Sequence, residues 1–233
     1  MATTNFPDGV TNANIDSANG QMVFEDPTKF HTYFNDFDQY VAADWAVTET
    51  QAGATQALTA GDGGWLLLTN SATDDDLNQV QKTPASFAIA AAKKAYFACR
   101  FKASDVTQND LMVGLVIVDT DPFATPPTDG IYFQSLDGVA TVDVFCRKNA
   151  TTGSTTKAAI ATLVNDTFIV LSWYYDGAGT LAFGVNGNTV GYLNNVGAFL
   201  PDAGNLAPLL AIQAGEAGAE TMTIDYVFTA VER

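Results

Sequence analysis

The chain of 233 residues is 47% hydrophobic, 11% aromatic and only 15% charged, which excludes a disordered protein and supplies apolar material for one large core. Lys plus Arg total 10 against 26 Asp plus Glu, a formal charge of -16 that repels phosphate backbones and anionic lipid surfaces, so neither a nucleic-acid nor a membrane partner is expected. The longest pure apolar run, 111–118, falls far short of the roughly 20 residues that span a bilayer.

Residues 1–27 are poor in aromatic and branched apolar residues and rich in Asn, Asp, Thr, Ala and Gly, and they read as an extended N-terminal arm ahead of a domain over 28–233. A disordered tail and an arm ordered against a neighbouring subunit both suit that composition; in the second case Phe6, Pro7 and Val10 are its few apolar anchors for a partner. The first residues lack the basic and apolar regions of a secretory signal, so synthesis in a reducing cytoplasm is the expectation. Next, 29–40 places Phe30, Tyr33, Phe34 and Phe37 at helical spacing, while the interruptions at Asn35, Asp36 and Asp38 suit a strand edge; a short helix and a first strand both stay open.

From there Gly, Asn, Asp and Thr punctuate the chain at short intervals and amphipathic helices are scarce, the texture of many short strands. Strands are expected at 64–70, 95–102, 111–119, 130–136, 140–147 and 221–231. The Ala-rich stretch 85–98 has helical propensity, but the alternation from Tyr96 to Lys102 makes its second half a strand. The unbroken apolar run after Leu111 predicts a central strand covered on both faces, with Gly114 marking a close approach or bend. The sharpest local signal is 167–193: strands over 167–175, 180–185 and 189–193, joined by Asp176 to Gly179 and by the pair Asn186-Gly187. Asn-Gly supplies the positive φ angles that a two-residue type I′ hairpin demands. In the last strand Met222, Ile224, Tyr226 and Phe228 alternate with Thr221, Thr223, Asp225 and Val227, so the first set is expected to face inward. The fold class is all-β, an antiparallel two-sheet sandwich behind an extended N-terminal arm.

Chemistry-bearing residues are few. His31 is the single histidine and reads as a side chain packed beside Phe30 and Tyr33, leaving no histidine-based triad or metal site. Cys99 and Cys146 sit within strand-like alternations and read as core thiols. A glycosidase needs two carboxyl groups held roughly 5 to 9.5 Å apart. The one close glutamate pair, Glu216 and Glu220, falls in a Gly and Ala loop where neither separation nor pKa is controlled, so no catalytic residue is assigned and a non-enzymatic chain is expected. Asp74-Asp-Asp76 and Asp119-Thr-Asp121 offer hard oxygen ligands, but neither shows the spaced series of a calcium loop, and no metal and no cofactor is expected. Trp45, Trp65 and Trp173 are candidates for a sugar-stacking platform, although aromatic residues in alternating strands are core by default.

The motif series Tyr96-Phe-Ala-Cys-Arg-Phe-Lys102, Met112-Val-Gly-Leu115, Asp129-Gly-Ile-Tyr-Phe133, Ser172-Trp-Tyr-Tyr-Asp-Gly177, Leu181-Ala-Phe-Gly-Val-Asn-Gly187 and Thr223-Ile-Asp-Tyr-Val-Phe228 resembles the concanavalin A-like, laminin-G-like jelly roll. More narrowly, Asp26 to Asp38 followed by Ala43-Asp-Trp45 is similar to virion structural proteins of tailed bacteriophages, particularly marine ones. The resemblance implies two antiparallel sheets and a structural place on the virion, as a capsid decoration or cement protein binding the major capsid protein. On that reading the protein is a homo-oligomer on the capsid exterior, assembled in the host cytoplasm. The alternative it carries is a carbohydrate-binding, lectin-like module of the virion or tail fibre that attaches to the host surface. The acidic motif of the glucanase branch and the calcium and sugar ligands of the lectin branch do not map onto residues of this chain.

Overall fold

The computed structural model describes residues 28–150 and 156–233. In chain order the strands are β1 (Phe30–Asn35), β2 (Trp45–Glu49), β3 (Thr55–Thr59), β4 (Trp65–Thr69), β5 (Leu77–Lys82), β6 (Ala95–Ala103), β7 (Asn109–Val116) and β8 (Gly130–Ser135). They continue as β9 (Thr141–Arg147), β10 (Thr156–Thr162), β11 (Ile169–Tyr175), β12 (Thr180–Val185), β13 (Asn188–Asn194), β14 (Ala207–Ala214) and β15 (Thr221–Glu232). Helix is confined, among the described residues, to two short 3-10 turns at Ala42–Asp44 and Val196–Phe199. The 29–40 ambiguity resolves as a strand, and the first half of the Ala-rich 85–98 stretch holds no helix, only a bridge between Phe87 and Leu206. Phe6, Pro7 and Val10, with the rest of the expected arm, lie outside the described residues.

Two antiparallel sheets face one another. The first runs β13-β12-β11-β6-β15-β4-β3, with β1 on the far half of β15, and the second runs β10-β9-β8-β7-β14-β5-β2. β15 reaches 12 residues because its first half pairs with β4 and its second half with β1, while β6 runs along its other edge. Between the sheets lies a continuous core in which Phe97, Leu171, Trp173, Leu181, Leu115, Phe133 and Ile212 are all essentially inaccessible to water. Each such side chain contributes about 1.5–3 kcal/mol on leaving water, which is what drives the sheets together.

The hairpin closes as its sequence demands: Val185 pairs with Asn188, and Asn186 and Gly187 take φ of 49° and 80°. The Asn186 side chain also accepts the Val170 N–H, which ties the turn to the start of β11.

The second sheet is covered on both sides. Leu111, Val113 and Leu115 point into the main core, while Met112, Val116, Tyr132, Leu209, Ala211 and Leu77 form a separate apolar cluster on the opposite face. Gly114 has a packing reason, since a Cβ there would stand 2.4 Å from Tyr132 Cβ. The segment 117–129 is bound to that outer face: Phe123 packs against the cluster, Gln79 donates to the Asp119 carbonyl, and Gln81 both donates to the Ile117 carbonyl and accepts the Asp119 N–H. This accounts for glutamines in a buried strand, because their amides satisfy a loop backbone that would otherwise be buried unpaired.

Candidate functional site: an aromatic face on the first sheet

Among the described residues no corresponding loop seals the outer face of the first sheet around β1, β15, β6 and β11, and that face is built from large rings. Period-2 alternation along β6 sends Phe97, Cys99 and Phe101 inward and Tyr96, Ala98, Arg100 and Lys102 outward. On β11, Leu171, Trp173 and Tyr175 go in and Tyr174 comes out, 39% exposed. β15 breaks its own alternation. Ile224 pairs with Phe101 and Tyr226 with Arg100, so Asp225 is an extra residue, a β-bulge that reverses the faces beyond it. Val227, Thr229 and Val231 are therefore buried, and Tyr226 and Phe228 lie on the outer surface. This corrects the expectation that Tyr226 and Phe228 point inward with Met222 and Ile224: a one-residue insertion in a period-2 strand inverts everything after it.

The bulge is held by its own side chain. Asp225 accepts one hydrogen bond from Trp65 Nε1 at 2.9 Å and one from the Arg100 guanidinium at 2.6 Å. Arg100 in turn lies over the Phe168 ring, 4.1 Å from its centroid, and Phe168 packs 5.1 Å from Trp65. Further along, Phe34 of β1 stands 6.2 Å from Tyr226 and 6.3 Å from Phe228, and Phe228 stands 5.8 Å from Tyr96. Burial among these rings raises the Tyr226 phenol above its ordinary pKa, and the neighbouring Tyr96 adds to that, so this ring is neutral at neutral pH.

Strand register organises the rings into a line. Thr32, Ala230, Tyr96, Tyr174, Ala182 and Tyr192 are successive cross-strand partners over β1, β15, β6, β11, β12 and β13. At about 4.8 Å per strand this row spans roughly 24 Å. Tyr96 and Tyr174 form a central ridge with an alanine on either side, and a depression lies on each flank. The first, about 320 Å³, has Ala95 and Ala230 at its base, Phe30, Phe228 and the two tyrosines as walls, and Lys94 at its rim. The second, about 180 Å³, lies over Ala182, Gly184 and Ser172, with Asn188 and Thr189 as its polar border. Tyr192 and Phe34, each 60% exposed, stand at opposite ends of the face. Small residues under large ones make shape, and ring faces beside amide and hydroxyl groups make a surface suited to a ligand with one apolar and one polar side.

The residues singled out in the sequence are scattered by comparison. Trp45 and Trp173 are buried in the core, and only Trp65 reaches the outer face, where its N–H is committed to Asp225. His31 points inward and stacks on Phe87 with 4.4 Å between centroids. Cys99 and Cys146 are free and buried. Glu216 is exposed, whereas Glu220 receives the Ser104 hydroxyl at 2.5 Å and is part of the loop's anchoring. Of the two acidic runs, Asp76 is fully buried and accepts from Thr50 Oγ1 and the Gln51 and Ser71 N–H groups, and Asp119 accepts the Asp121 N–H, so both fasten loops. The tyrosines and phenylalanines of the platform were missed as a set. Their signal was present as adjacent aromatic residues, Tyr96-Phe97 and Trp173-Tyr174, because two neighbours in a strand cannot both face the core.

No protein-family profile and no curated protein matches the chain. Among solved structures, the sandwich is similar to a protein of unknown function from Shewanella oneidensis (12% identity, TM-score 0.62, covering 95% of this chain and 97% of the other). It is similar to SCLam, a non-specific endo-β-1,3(4)-glucanase from family GH16 (13% identity, TM-score 0.61, 89% and 93% covered), and to peanut lectin (12%, 0.57, 87% and 97%). The fold is thus the lectin-like, concanavalin A-like jelly roll. The expectation of a chain without catalytic activity does not stand as a conclusion, because the glucanase, a Crh5 transglycosylase and an endo-β-1,4-glucuronan lyase share this sandwich. The physical reason is that activity on a sandwich resides in a few side chains placed on its faces, which composition and motif order do not reveal.

Proposed function

We propose that this protein binds carbohydrate on the outer face of its first sheet, with the Tyr96–Tyr174 ridge and its two flanking depressions as the contact surface. The single observation that carries the reading is the register-aligned row itself, which sets two adjacent tyrosines between shallow sites floored by Ala230 and Ala182. A pyranose has an apolar C–H face and a hydroxyl rim, and it matches aromatic faces bordered by Ser172, Asn188 and Thr189. The jelly roll shared with a lectin supports the reading at the level of fold. The test is a glycan array followed by calorimetry with the full chain: binding in the micromolar to millimolar range is expected, weakened about ten-fold or more by Tyr174→Ala. A blank array, or binding indifferent to Tyr174→Ala and Tyr192→Ala together, overturns it.

The setting of this activity is the virion surface. The similarity of Asp26 to Asp38 and Ala43 to Trp45 to phage virion proteins supports a capsid decoration role on the major capsid protein, as a homo-oligomer on the capsid exterior. The charge of -16 supports it as well, being suited to a soluble outer layer and not to contact with packaged DNA. In this role Phe6, Pro7 and Val10 supply the contact with the neighbouring subunit. Co-sedimentation with expanded capsids, lost on deleting residues 1–27, is the expected result. Failure to bind capsids, or location on tail fibres in labelled virions, removes the capsid role and leaves host-surface attachment.

A further inference from the structure

We infer that the glycan held at the Tyr96–Tyr174 face is acidic, a uronate-containing chain whose ring carboxylate meets the Lys94 ammonium at the rim of the larger depression. The inference rests on the carbohydrate reading of this face and specifies its ligand.

It starts from where a strongly acidic chain keeps its cations. With 10 Lys plus Arg against 26 carboxylates, an even scattering would leave any patch negative. Instead the corner where β1, β6 and β15 meet gathers them. The Arg233 N–H bonds to the Lys29 carbonyl, the Glu232 N–H bonds to the Lys94 carbonyl, and Lys93 is the next residue along. Among the described residues of this corner, the Glu232 carboxylate accepts the Lys94 backbone N–H at 2.9 Å. Lys94 is exposed, lines the depression, and its ammonium has no carboxylate within ion-pair distance among the described residues. The cations elsewhere on the face are already engaged: Arg100 with Asp225 at 2.6 Å and Lys102 with Asp166 at 3.9 Å. Lys94 is thus the charge on this surface that is turned toward the open groove.

The position fits an anionic group at the edge of a sugar ring. A sugar ring lying on Tyr96, Tyr174 or Phe228 keeps its C–H face on the aromatic and its ring substituents at the edge. The carboxylate of a uronate is carried directly on C5, in line with the ring, and so reaches the rim without lifting the ring from its platform. A sulfate ester presents its charge farther from the ring, beyond an added oxygen, and the sulfated galactan in the test separates the two. The chain's overall negative charge does not forbid an acidic ligand, since charges beyond the roughly 8 Å screening length at physiological salt are largely screened and the local ammonium dominates.

The test compares three soluble chains with the full-length protein by calorimetry: a polyglucuronate, a neutral β-glucan and a sulfated galactan. The polyuronate is expected to bind most tightly, and Lys94→Gln is expected to cost it about three- to five-fold, clearly more than it costs the neutral glucan. Lys94 is exposed and without an ion pair, so circular dichroism and Tm of the variant should match the parent. Equal binding of uronate and neutral chains, or indifference of uronate binding to Lys94→Gln, overturns this inference and leaves the carbohydrate reading standing. A preference for the sulfated galactan overturns the uronate assignment. Failure of all three chains to bind overturns this inference, and a blank glycan array beside it overturns the carbohydrate reading as well.

Discussion

Asp225 connects the fold to the surface. Replacing it with alanine removes the carboxylate that holds the bulge, leaving Trp65 Nε1 and the Arg100 guanidinium without their acceptor. Hydrogen bonds to a charged group are worth about 1.5–3 kcal/mol each when water is excluded. Here the Arg100 side chain is 36% exposed and the Asp225 side chain 14%, so water replaces part of the loss on the arginine side and little of it on the tryptophan side. A total near 2 kcal/mol follows, and at about 2–4 °C per kcal/mol for a chain of this size Tm should fall by about 4–8 °C. Asp225→Asn keeps an acceptor for Trp65 and loses only the charge on Arg100, so roughly half that drop is expected. Two further readouts distinguish a clamp from a general stabiliser. Trp65 emission should shift to the red in Asp225→Ala, and glycan affinity should weaken severalfold at temperatures well below Tm, because Tyr226 and Phe228 owe their outward direction to the bulge. An Asp225→Ala protein with unchanged Tm and unchanged affinity would show that the backbone alone holds the bulge and would refute this reasoning.

Three more outcomes follow from particular contacts. Gly114→Ala should destabilise by about 1–3 kcal/mol in urea unfolding, since the new Cβ meets Tyr132 and the Ile131 carbonyl oxygen at 2.4–2.6 Å and the β7–β8 spacing cannot open without cost. Burial pushes the Cys146 thiol up to about 12 and raises Cys99 further, so neither should react with a thiol reagent at pH 8 in the folded protein, and both should react in denaturant. Burial raises the Asp110 carboxyl above its usual range, with the charges of Asp137 and Asp75 adding to it. A carboxyl whose pKa is raised by folding costs stability once pH passes above its unfolded value. Asp110→Asn, which still accepts the Asp137 N–H, should therefore raise Tm at pH 7 and give no gain below about pH 3.5, where both states of the aspartate are protonated.

The two outer faces of the sandwich illustrate how the same strand chemistry is put to different use. On the second sheet, rings and glutamines are consumed by the 117–129 segment, which converts that surface into a second core. On the first sheet, Phe34, Tyr174 and Tyr192 keep large areas in water, at the hydrophobic cost that exposed rings carry.

Local chemistry determined a good part of this protein. Asn186-Gly187 specified its hairpin because positive φ at both turn residues is a property of those two residues and needs no partner. The apolar run after Leu111 announced a strand buried on both sides, and Gly114 announced a close neighbour. Other elements were written in a code that only packing reads. β5, with Asn78, Gln79 and Gln81 all buried, looks solvent-facing until the 117–129 backbone arrives to accept the two glutamine amides and the Thr55 and Thr69 carbonyls accept that of Asn78, and β14 passes through Pro208 and alanines with no alternation because both its faces are covered. The surface depended most on tertiary structure. Period-2 reading of 221–231 is correct up to Ile224 and inverted from Tyr226 on, because a bulge is decided by how β15 meets β6 and by two side chains, Trp65 and Arg100, distant in sequence. Likewise the alignment of Tyr96, Tyr174 and Tyr192 into one row is a matter of register between strands, which no single strand encodes.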